Sequence, residues 1–436
     1  MNIILLSGGS GKRLWPLSND IRSKQFIKIF KRPDGSFESM VQRMYRGILL
    51  LDDKSNVIVA TSKSQVSEIN NQLGQQIKLS IEPCRRDTFP AIALAVAFLH
   101  DVVGVQPDEV VVVCPVDPLV ENDYFLALKE LSQQADNLSN NLVLMGIEPT
   151  YPSSKYGYIL PATKNHVSSV DSFKEKPTEE IARSFISEGA LWNGGVFAFR
   201  LSYILDKSKK IFGHSDYKGL LQNYESLPKI SFDYAVAEKE PNIQVVRFSG
   251  VWKDLGTWNT LSEVIGDQNF GNVIETNTNE NVTVVNELDL PILPVGLSNI
   301  VISASPEGIL VSDKTKSSSI KPFVDSLEQQ VMFAEKSWGS FKVIDVEKGS
   351  LTIKVTLKPG YSMHYHFHNH RKEIWVVVGG TGYAIVGGKK SAVTAGDCIV
   401  LDVGVPHTII SQTELTVIEV QIGEDISVLD KVKVDL

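Results

Sequence analysis

Features that are scarce in this sequence exclude several classes of protein. Only three cysteines occur in 436 residues, and they lie far apart at positions 84, 114 and 398. This spacing predicts free thiols in a reducing compartment rather than a disulfide framework. No run approaches the ~20 apolar residues of a membrane span, and the N-terminus lacks the charged start and apolar core of a signal peptide. We therefore expect a cytoplasmic protein with no membrane partner.

An excess of positive charge is also missing. The formal net charge is −8, which argues against general nucleic-acid binding. A hydrophobic content of 43% and a charged fraction of 22% indicate an ordinary globular protein, long enough for two or three domains. No internal repeat or low-complexity tract is evident in the sequence.

The first part of the chain alternates two kinds of apolar pattern. Short runs rich in β-branched residues predict strands at 3–6, 57–60, 110–114 and 142–147. Apolar residues three and four apart predict a helix from Phe37 to Leu51, and a second helix covers 91–99. Such alternation predicts an α/β domain with a largely parallel sheet, whose ligands bind at the carboxyl ends of the strands.

The pattern changes after about residue 265. Short strands at 282–285, 300–303 and 308–311 alternate with Asn, Pro and Gly turns, and from 341 onward nearly all of the apolar runs have strand length. We therefore predict an α/β domain at 1–268, a small β connector at 269–328 and a β-barrel or jelly roll at 329–436.

A glycine-rich turn follows the first predicted strand. Gly8, Gly9 and Gly11 are followed by Lys12 and Arg13, so backbone N–H groups and fixed positive charge lie together. The spacing fits neither the dinucleotide fingerprint nor the P-loop. Alone, the turn predicts a phosphate site or merely a tight turn at the end of a strand.

Carboxylates recur in three later motifs. Asp117 follows the strand at 110–114, and Asp254 lies between two tryptophans, so the two could share one Mg²⁺ with phosphate oxygens. For Asp117 a helix N-cap is the simpler alternative. Glu175, next to Lys176, could accept from sugar hydroxyls beside a phosphate cation, and Asn193 precedes two glycines. A solvated charged strand end is the alternative for Glu175.

In this order, the motifs resemble those of mannose-1-phosphate guanylyltransferases, which are sugar nucleotidyltransferases with a Rossmann-like fold. The resemblance includes the long form, in which a C-terminal cupin domain is a type II mannose-6-phosphate isomerase. It rests on residues 8–18, 24–26, 82–83, 86, 90–91, 115–117, 156–159, 175–177, 192–193, 233–235 and 254–258.

This resemblance implies that GTP and mannose 1-phosphate react to give GDP-mannose and pyrophosphate. It implies that Arg13, Lys24, Asp117 and Asp254 are catalytic, and that Asp117 and Asp254 hold Mg²⁺. The implied nucleotide-binding residues are Leu6, Gly8, Gly9, Gly11, Lys12, Arg13, Glu82, Pro83, Arg86, Asp87 and Asp117. The implied sugar-phosphate residues are Gly157, Tyr158, Glu175, Lys176 and Asn193. We also expect a homo-oligomer, specifically a dimer.

Three positions near this site depart from the family pattern. Ser23 stands where the family usually has Pro, Asp87 where it has Asn, and Pro118 where it has His. The alternative interpretation therefore keeps the transferase fold but changes the sugar 1-phosphate or the NTP.

A second chemical cluster lies near the C-terminus, where four of the eight histidines fall within seven residues. His366 and His368 would face the same side of a strand, since side chains alternate. With Glu373 and His407 they form three imidazoles and one carboxylate, which suit a divalent transition metal such as Zn²⁺. A polar surface strand is the alternative.

The spacing of this cluster is similar to the cupin metal motif. Compared with the isomerases, His366 stands where Gln is usual, and Thr408 where an Arg commonly follows the metal-binding His. The cupin is therefore interpreted either as a mannose-6-phosphate isomerase or as a non-catalytic metal-binding or oligomerisation module.

Overall fold

A computed structural model describes residues 1–9, 11–19, 21–32, 34–137, 140–266, 268–327, 331–424, 426–427 and 430–434. The chain divides into two compact units. The first contains Met1–Gly11 and Ser23–Ile265, and the second contains Lys12–Arg22 and Gly266–Leu436. Among the helices that the structure describes, none is long and apolar enough to cross a membrane.

The first unit is built on a nine-stranded sheet. Its strands, in spatial order, are Lys78–Glu82, Asn56–Ser62, Asn2–Ser7, Val110–Pro115, Leu191–Arg200, Leu142–Ile147, Ile243–Phe248, Val167–Lys174 and Tyr158–Pro161. The first four are mutually parallel, as expected. The other half is mixed, because Leu191–Arg200 runs antiparallel to both of its neighbours. The α/β prediction is confirmed, with less parallel pairing than expected.

Helices cover both faces of this sheet. Along the strand Asn2–Ser7, Ile4 packs into one apolar cluster, whereas Ile3 and Leu5 pack into another on the opposite face. Each such fully buried side chain contributes about 1.5–3 kcal/mol. The α-helices of the unit are Met40–Leu51, Val66–Leu73, Thr88–Phe98, Asn122–Ala135, Glu179–Ser187, Leu201–Phe212, Tyr217–Gln222, Phe232–Ala235 and Trp258–Ile265.

The helix predicted from Phe37 begins later than expected. Phe37 lies in the short strand Phe37–Glu38, and the helix starts at Met40. Ser39 caps it: its side chain accepts from the Gln42 amide, and the Gln42 side chain accepts from the Ser39 amide. The capping box therefore sets the start of the helix at Met40, whereas the apolar spacing alone would start it at Phe37.

The second unit starts with a stacked β segment. Strand Thr283–Asn286 pairs in parallel with Ile300–Ser305, which pairs with Gly308–Asp313 in the antiparallel direction. Asn281 Nδ2 donates to Asn299 Oδ1 at 2.9 Å, across a separation of 18 residues. The backbone thus repeats with an 18-residue coil, although the sequence analysis found no repeat. The strands of this segment pair through backbone hydrogen bonds, which leave little trace in residue identity, and the Asn281–Asn299 pair is one such trace.

Segment Lys12–Arg22 packs onto this stacked segment. Ser305 Oγ donates to the Pro16 carbonyl at 2.7 Å, and Arg22 lies 2.7 Å from Glu287 Oε2. Gly308 has a positive φ, and a Cβ there would overlap the Trp15 ring. The residues that follow the glycine-rich turn in sequence therefore belong structurally to the second unit.

The C-terminal part consists of two antiparallel sheets. One contains Phe333–Lys336, Gly339–Glu347, Ser350–Leu357, Leu415–Gly423, Arg371–Gly379 and Cys398–Leu401. The other contains Lys389–Thr394, Thr381–Val386, His407–Ser411, His366–His368 and Lys431–Lys433. Trp375 and Val417 of the first sheet share one core cluster with Ala384 and Ile409 of the second. This architecture confirms the predicted jelly roll.

Candidate functional site

The glycine-rich turn is fixed by side chains from elsewhere in the first unit. Gly9 and Gly11 have φ values of +97° and +64°, which favour glycine. The Gly9 carbonyl accepts from Ser23 Oγ at 2.8 Å, and Gln65 Nε2 donates to the same hydroxyl at 2.7 Å. Ser23, one of the departures from the family pattern, therefore anchors the turn. Ser10 lies outside the described residues.

A cleft of about 280 Å³ opens beside this turn. It is lined by residues at the carboxyl ends of four parallel strands, among them Ser7, Ser62, Glu82 and Pro115. Gly8, Gly9, Asp87 and Asp117 complete its rim. The structure thus brings together much of the nucleotide set that was expected at this edge of the sheet.

Two short strands bring the distant aspartates together. Pro118–Val120 pairs with Trp252–Asp254, so that Asp254 lies opposite Pro118, next to Asp117. Lys24 Nζ lies between the carboxylates, 2.8 Å from Asp117 Oδ2 and 3.2 Å from Asp254 Oδ1. Three residues that are far apart in sequence therefore form one charged cluster.

This cluster keeps Lys24 charged. Burial alone would lower the pKa of Lys24, but the charges and hydrogen bonds of Asp117 and Asp254 raise it overall. Two carboxylates that already surround a cation form an oxygen donor set suited to Mg²⁺. The donor chemistry therefore fits the expected metal.

A third group of polar residues surrounds Gly157. Glu175 is buried, and its Oε1 lies 2.6 Å from Lys176 Nζ. A Cβ at Gly157 would overlap Glu175 Oε2, so only glycine leaves the carboxylate in place. Asn193 joins the group because its backbone N–H donates to the Gly157 carbonyl at 2.8 Å.

Asp233 completes this group, although the sequence analysis gave it no role. Asn193 Nδ2 donates to Asp233 Oδ1 at 2.7 Å. Burial, reinforced by the charge of Glu175, raises the pKa of Asp233 to about 6. The motif at 233–235 contained this residue, but only the fold shows that it lies beside Glu175.

Aromatic residues lie next to the Lys24 cluster and to the polar residues around Gly157. The Tyr156 ring lies 4.9 Å from that of Trp192 and 5.6 Å from that of Trp252, centroid to centroid. Burial and the nearby charge of Asp254 raise the pKa of Tyr156, so its hydroxyl stays protonated. Tyr158 differs, because its buried hydroxyl bonds to Trp192 Nε1 and to the backbone of Ser153. The Tyr158 side chain is therefore part of the buried core and not of the expected sugar-phosphate site.

Several of the expected nucleotide residues also make structural contacts of their own. Lys12 and Arg13 lie in the short helix Lys12–Leu14 of the second unit, where Lys12 Nζ is 3.0 Å from Asp325 Oδ1. Asp87 has a φ of +71° and caps the helix Thr88–Phe98 through the Thr88 amide. The Arg86 guanidinium donates to the Glu225 carbonyl.

In the second unit, the four expected metal ligands converge. Ligand atoms of His366, His368, Glu373 and His407 all lie within 4.8 Å of one another, and all four residues are buried. His366 pairs with His407 across two strands, and Glu373 comes from the opposite sheet. Local spacing predicted this set, and the fold assembles it.

Each of the three imidazoles places its Nδ1 beside a backbone carbonyl. The pairs are His366 with His364 at 2.6 Å, His368 with Asp430 at 3.0 Å, and His407 with Val405 at 2.8 Å. An Nδ1–H that donates to a carbonyl leaves the Nε2 lone pair for a metal. The orientation of the rings therefore fits a bound divalent ion.

Electrostatics favour the same protonation states. Burial, with the charge of Lys431, lowers the pKa of His366 to about 3. For Glu373, burial alone would raise the pKa, but the nearby His368 and His407 side chains lower it overall. A neutral imidazole and an ionised carboxylate are the forms that bind metal.

A cavity of about 720 Å³ is lined in part by two of these ligands, His366 and Glu373. Besides apolar residues, it is lined by Glu419, Gln421 and Lys431, which were not expected from the sequence. Thr408, which stands where the isomerases have Arg, donates its hydroxyl to the Met363 carbonyl at 2.7 Å. Basic side chains are present in this cavity although Thr408 supplies none, since Lys336, Arg371 and Lys431 line it.

Comparisons with known proteins match both parts of the chain. A family described as nucleotidyl transferase matches residues 2–269, and one described as mannose-6-phosphate isomerase C-terminal matches residues 325–435. Mannose-1-phosphate guanylyltransferase of Klebsiella pneumoniae is 28% identical over 462 residues, covering 96% of this chain and 95% of that protein. Alginate biosynthesis protein AlgA of Pseudomonas aeruginosa is 30% identical over 465 residues, covering 96% and 93%.

A solved structure supports the fold of the transferase part. It is described as mannose-1-phosphate geranyltransferase from Thermus thermophilus, and it is 27% identical with a TM-score of 0.63. The similarity covers 75% of this chain and 99% of that one.

Proposed function

Since the chain belongs to the nucleotidyl transferase family, as a mannose-1-phosphate guanylyltransferase with an isomerase-like C-terminal domain, we propose that Lys24, Asp117 and Asp254 support GMP transfer from GTP to mannose 1-phosphate. A phosphate oxygen of the sugar attacks the α-phosphorus in line, and pyrophosphate leaves. The nucleophile is already an anion, so that no general base is required.

The observation that carries this proposal is the position of Lys24 between two carboxylates at the cleft. Asp117 and Asp254 would hold Mg²⁺, which neutralises phosphate charge when bound. Lys24 supplies a fixed cation for the charge that develops at the α-phosphate. The glycine-rich turn offers N–H groups to the phosphates, and Glu82 and Asp87 border the base. A role for Lys12 and Arg13 stays a prediction of the resemblance.

The sugar phosphate would bind at the group of polar residues around Gly157. Glu175 offers carboxylate oxygens that can accept from sugar hydroxyls, and Lys176 provides a cation for the phosphate. Asn193 is held in place by Asp233 and can use its remaining N–H on the sugar.

The test is product identification after incubation with GTP, Mg²⁺ and mannose 1-phosphate. Parallel reactions with ATP, CTP and UTP, and with glucose 1-phosphate, address the alternative substrates. GDP-mannose as the main product supports the proposal. Faster turnover of another NTP or sugar 1-phosphate would instead favour the alternative interpretation.

For the cupin we propose isomerisation of mannose 6-phosphate to fructose 6-phosphate. The observation that favours it is the cavity, which Glu419 and Lys431 line together with two of the four metal ligands, His366 and Glu373. A bound divalent ion such as Zn²⁺ would act as a Lewis acid on the sugar oxygens. A coupled assay with added Zn²⁺, Mn²⁺ or Co²⁺ tests this. A folded, metal-loaded protein without isomerase activity would leave the cupin as a binding or oligomerisation module.

A further inference from the structure

The base end of the nucleotide cleft contains a carboxylate that is not free to turn. Glu82 ends the strand Lys78–Glu82 and lines the cleft together with Arg85 and Asp87. Tyr224 is fully buried, and its hydroxyl donates to Glu82 Oε2 at 2.7 Å. Glu82 Oε2 is therefore fixed by a hydrogen bond from the buried core, and the other carboxylate oxygen is left for a ligand.

The segment that contains Tyr224 is itself held by Arg86, which lies between Glu82 and the helix Thr88–Phe98. Tyr224 begins the short helix Tyr224–Ser226. The Arg86 guanidinium donates to the carbonyl of the next residue, Glu225, and the Ile230 amide donates to the Arg86 carbonyl at 3.3 Å. Arg86 thus bonds to one residue within the helix Tyr224–Ser226 and to another that follows it, and so fixes the position of Tyr224.

Protonation states make the direction of this hydrogen bond definite. Burial and the charge of Glu82 raise the pKa of Tyr224, so its hydroxyl stays protonated and donates. Burial raises the pKa of Glu82, whereas Tyr224 and Arg85 oppose that rise. The tyrosine therefore favours the ionised carboxylate, which can only accept hydrogen bonds.

An ionised carboxylate discriminates between the two purines. The Watson–Crick edge of guanine has two adjacent donors, N1–H and the 2-amino group, whereas adenine has an acceptor at N1 and no 2-amino group. A protonated or rotated carboxyl group could instead donate to adenine N1. A site that leaves a buried acceptor without its donor rejects the wrong ligand strongly.

We propose that Tyr224 is a positioning residue that aims the Glu82 carboxylate at the guanine edge and so makes the transferase prefer GTP to ATP. The proposal rests on the proposed guanylyltransferase function, because it assigns the origin of the base preference of that same cleft. It concerns a residue that lies behind the cleft wall and does not itself touch the nucleotide.

The test compares Tyr224→Phe with Tyr203→Phe in the full chain. Tyr203 donates to Glu240 Oε2 at 2.6 Å, which is the same type of bond away from the cleft lining. For each variant, kcat/KM is measured with GTP, ATP and ITP, which lacks the 2-amino group. We expect the GTP-to-ATP ratio to fall about tenfold or more in Tyr224→Phe and to stay at the wild-type value in Tyr203→Phe.

Several results would overturn the proposal. An unchanged ratio in Tyr224→Phe, or an equal fall in Tyr203→Phe, contradicts a specific positioning role. If circular dichroism shows that Tyr224→Phe does not fold, Glu82→Gln replaces it, with the same expected fall in the ratio, and an unchanged ratio is again contradictory. Failure of the wild-type protein to use GTP at all would count against the proposed function instead.

Discussion

The two candidate sites of this chain differ in how far their charged side chains are exposed. In the first unit, the carboxylates of Asp117 and Asp254 are 35% and 37% exposed and surround a lysine at the edge of a cleft. In the second, none of the four cupin ligands is more than 3% exposed, and each imidazole is oriented by a backbone carbonyl.

This difference suits two uses of a metal ion. An open pair of carboxylates can exchange Mg²⁺ together with each nucleotide, whereas a buried set of histidines retains its ion through many turnovers. If this difference matters, substitutions in the first unit should change transfer kinetics, and substitutions in the second should change metal retention.

The largest expected effect is on transfer chemistry at the open site. Lys24→Ala removes the cation between the two carboxylates, and kcat for GDP-mannose formation should fall about 100-fold or more. Steady-state kinetics with GTP and mannose 1-phosphate measure this. The control is Lys28→Ala, four residues away and exposed. Near-normal turnover of a folded Lys24→Ala protein would rule out the catalytic role.

The buried site should respond in metal retention. His407→Ala removes one imidazole of the ligand set, and affinity for Zn²⁺ should weaken about 100-fold. Equilibrium dialysis followed by metal analysis measures this, with the exposed His370→Ala as control. Equal metal content in the two variants would contradict the assignment, whereas GDP-mannose formation should stay unchanged in both.

A smaller effect is expected in the sugar group of the open site. Gly157→Ala places a methyl group against Glu175 Oε2, so the carboxylate must move from its position beside Lys176. KM for mannose 1-phosphate should therefore rise about tenfold while KM for GTP stays constant. A parallel rise in both constants would indicate general damage to the cleft rather than a sugar subsite.

The smallest expected effect is a pH-dependent change in stability. Because the pKa of Asp233 is raised to about 6, this carboxyl stabilises the fold at low pH, and that contribution is lost as the pH rises through 6. Asp233→Asn should therefore raise the Tm by a few degrees at pH 8 and by less at pH 5. Thermal unfolding measures this, with exposed Asp53→Asn as control. A difference that grows toward low pH has the wrong sign.

Local patterns predicted the parts of the fold that depend on local interactions. The run at 3–6 is a strand because both of its faces are buried, and the histidine spacing predicted the cupin ligands because strands alternate side chains. The start of the helix at Met40 was missed since Phe37 continues the apolar spacing, although Ser39 and Gln42 gave the capping signal.

Long-range pairing accounts for what the sequence left open. Asp117 and Asp254 meet only because two three-residue strands pair, and no spacing rule links them. Gln65 and Tyr224 support the cleft from segments without a motif. The resemblance supplied the residues of the open site, and the structure shows why Lys24 lies between the two aspartates.

The central claim is that the cleft of the first unit directs a sugar phosphate to the α-phosphorus of GTP. Incubation with [α-³²P]GTP, Mg²⁺ and mannose 1-phosphate tests it most directly, with products separated by chromatography. We expect the label in GDP-mannose, formed together with unlabelled pyrophosphate, and almost none with Lys24→Ala. Label released as GMP, or no labelled nucleotide sugar at all, would contradict it.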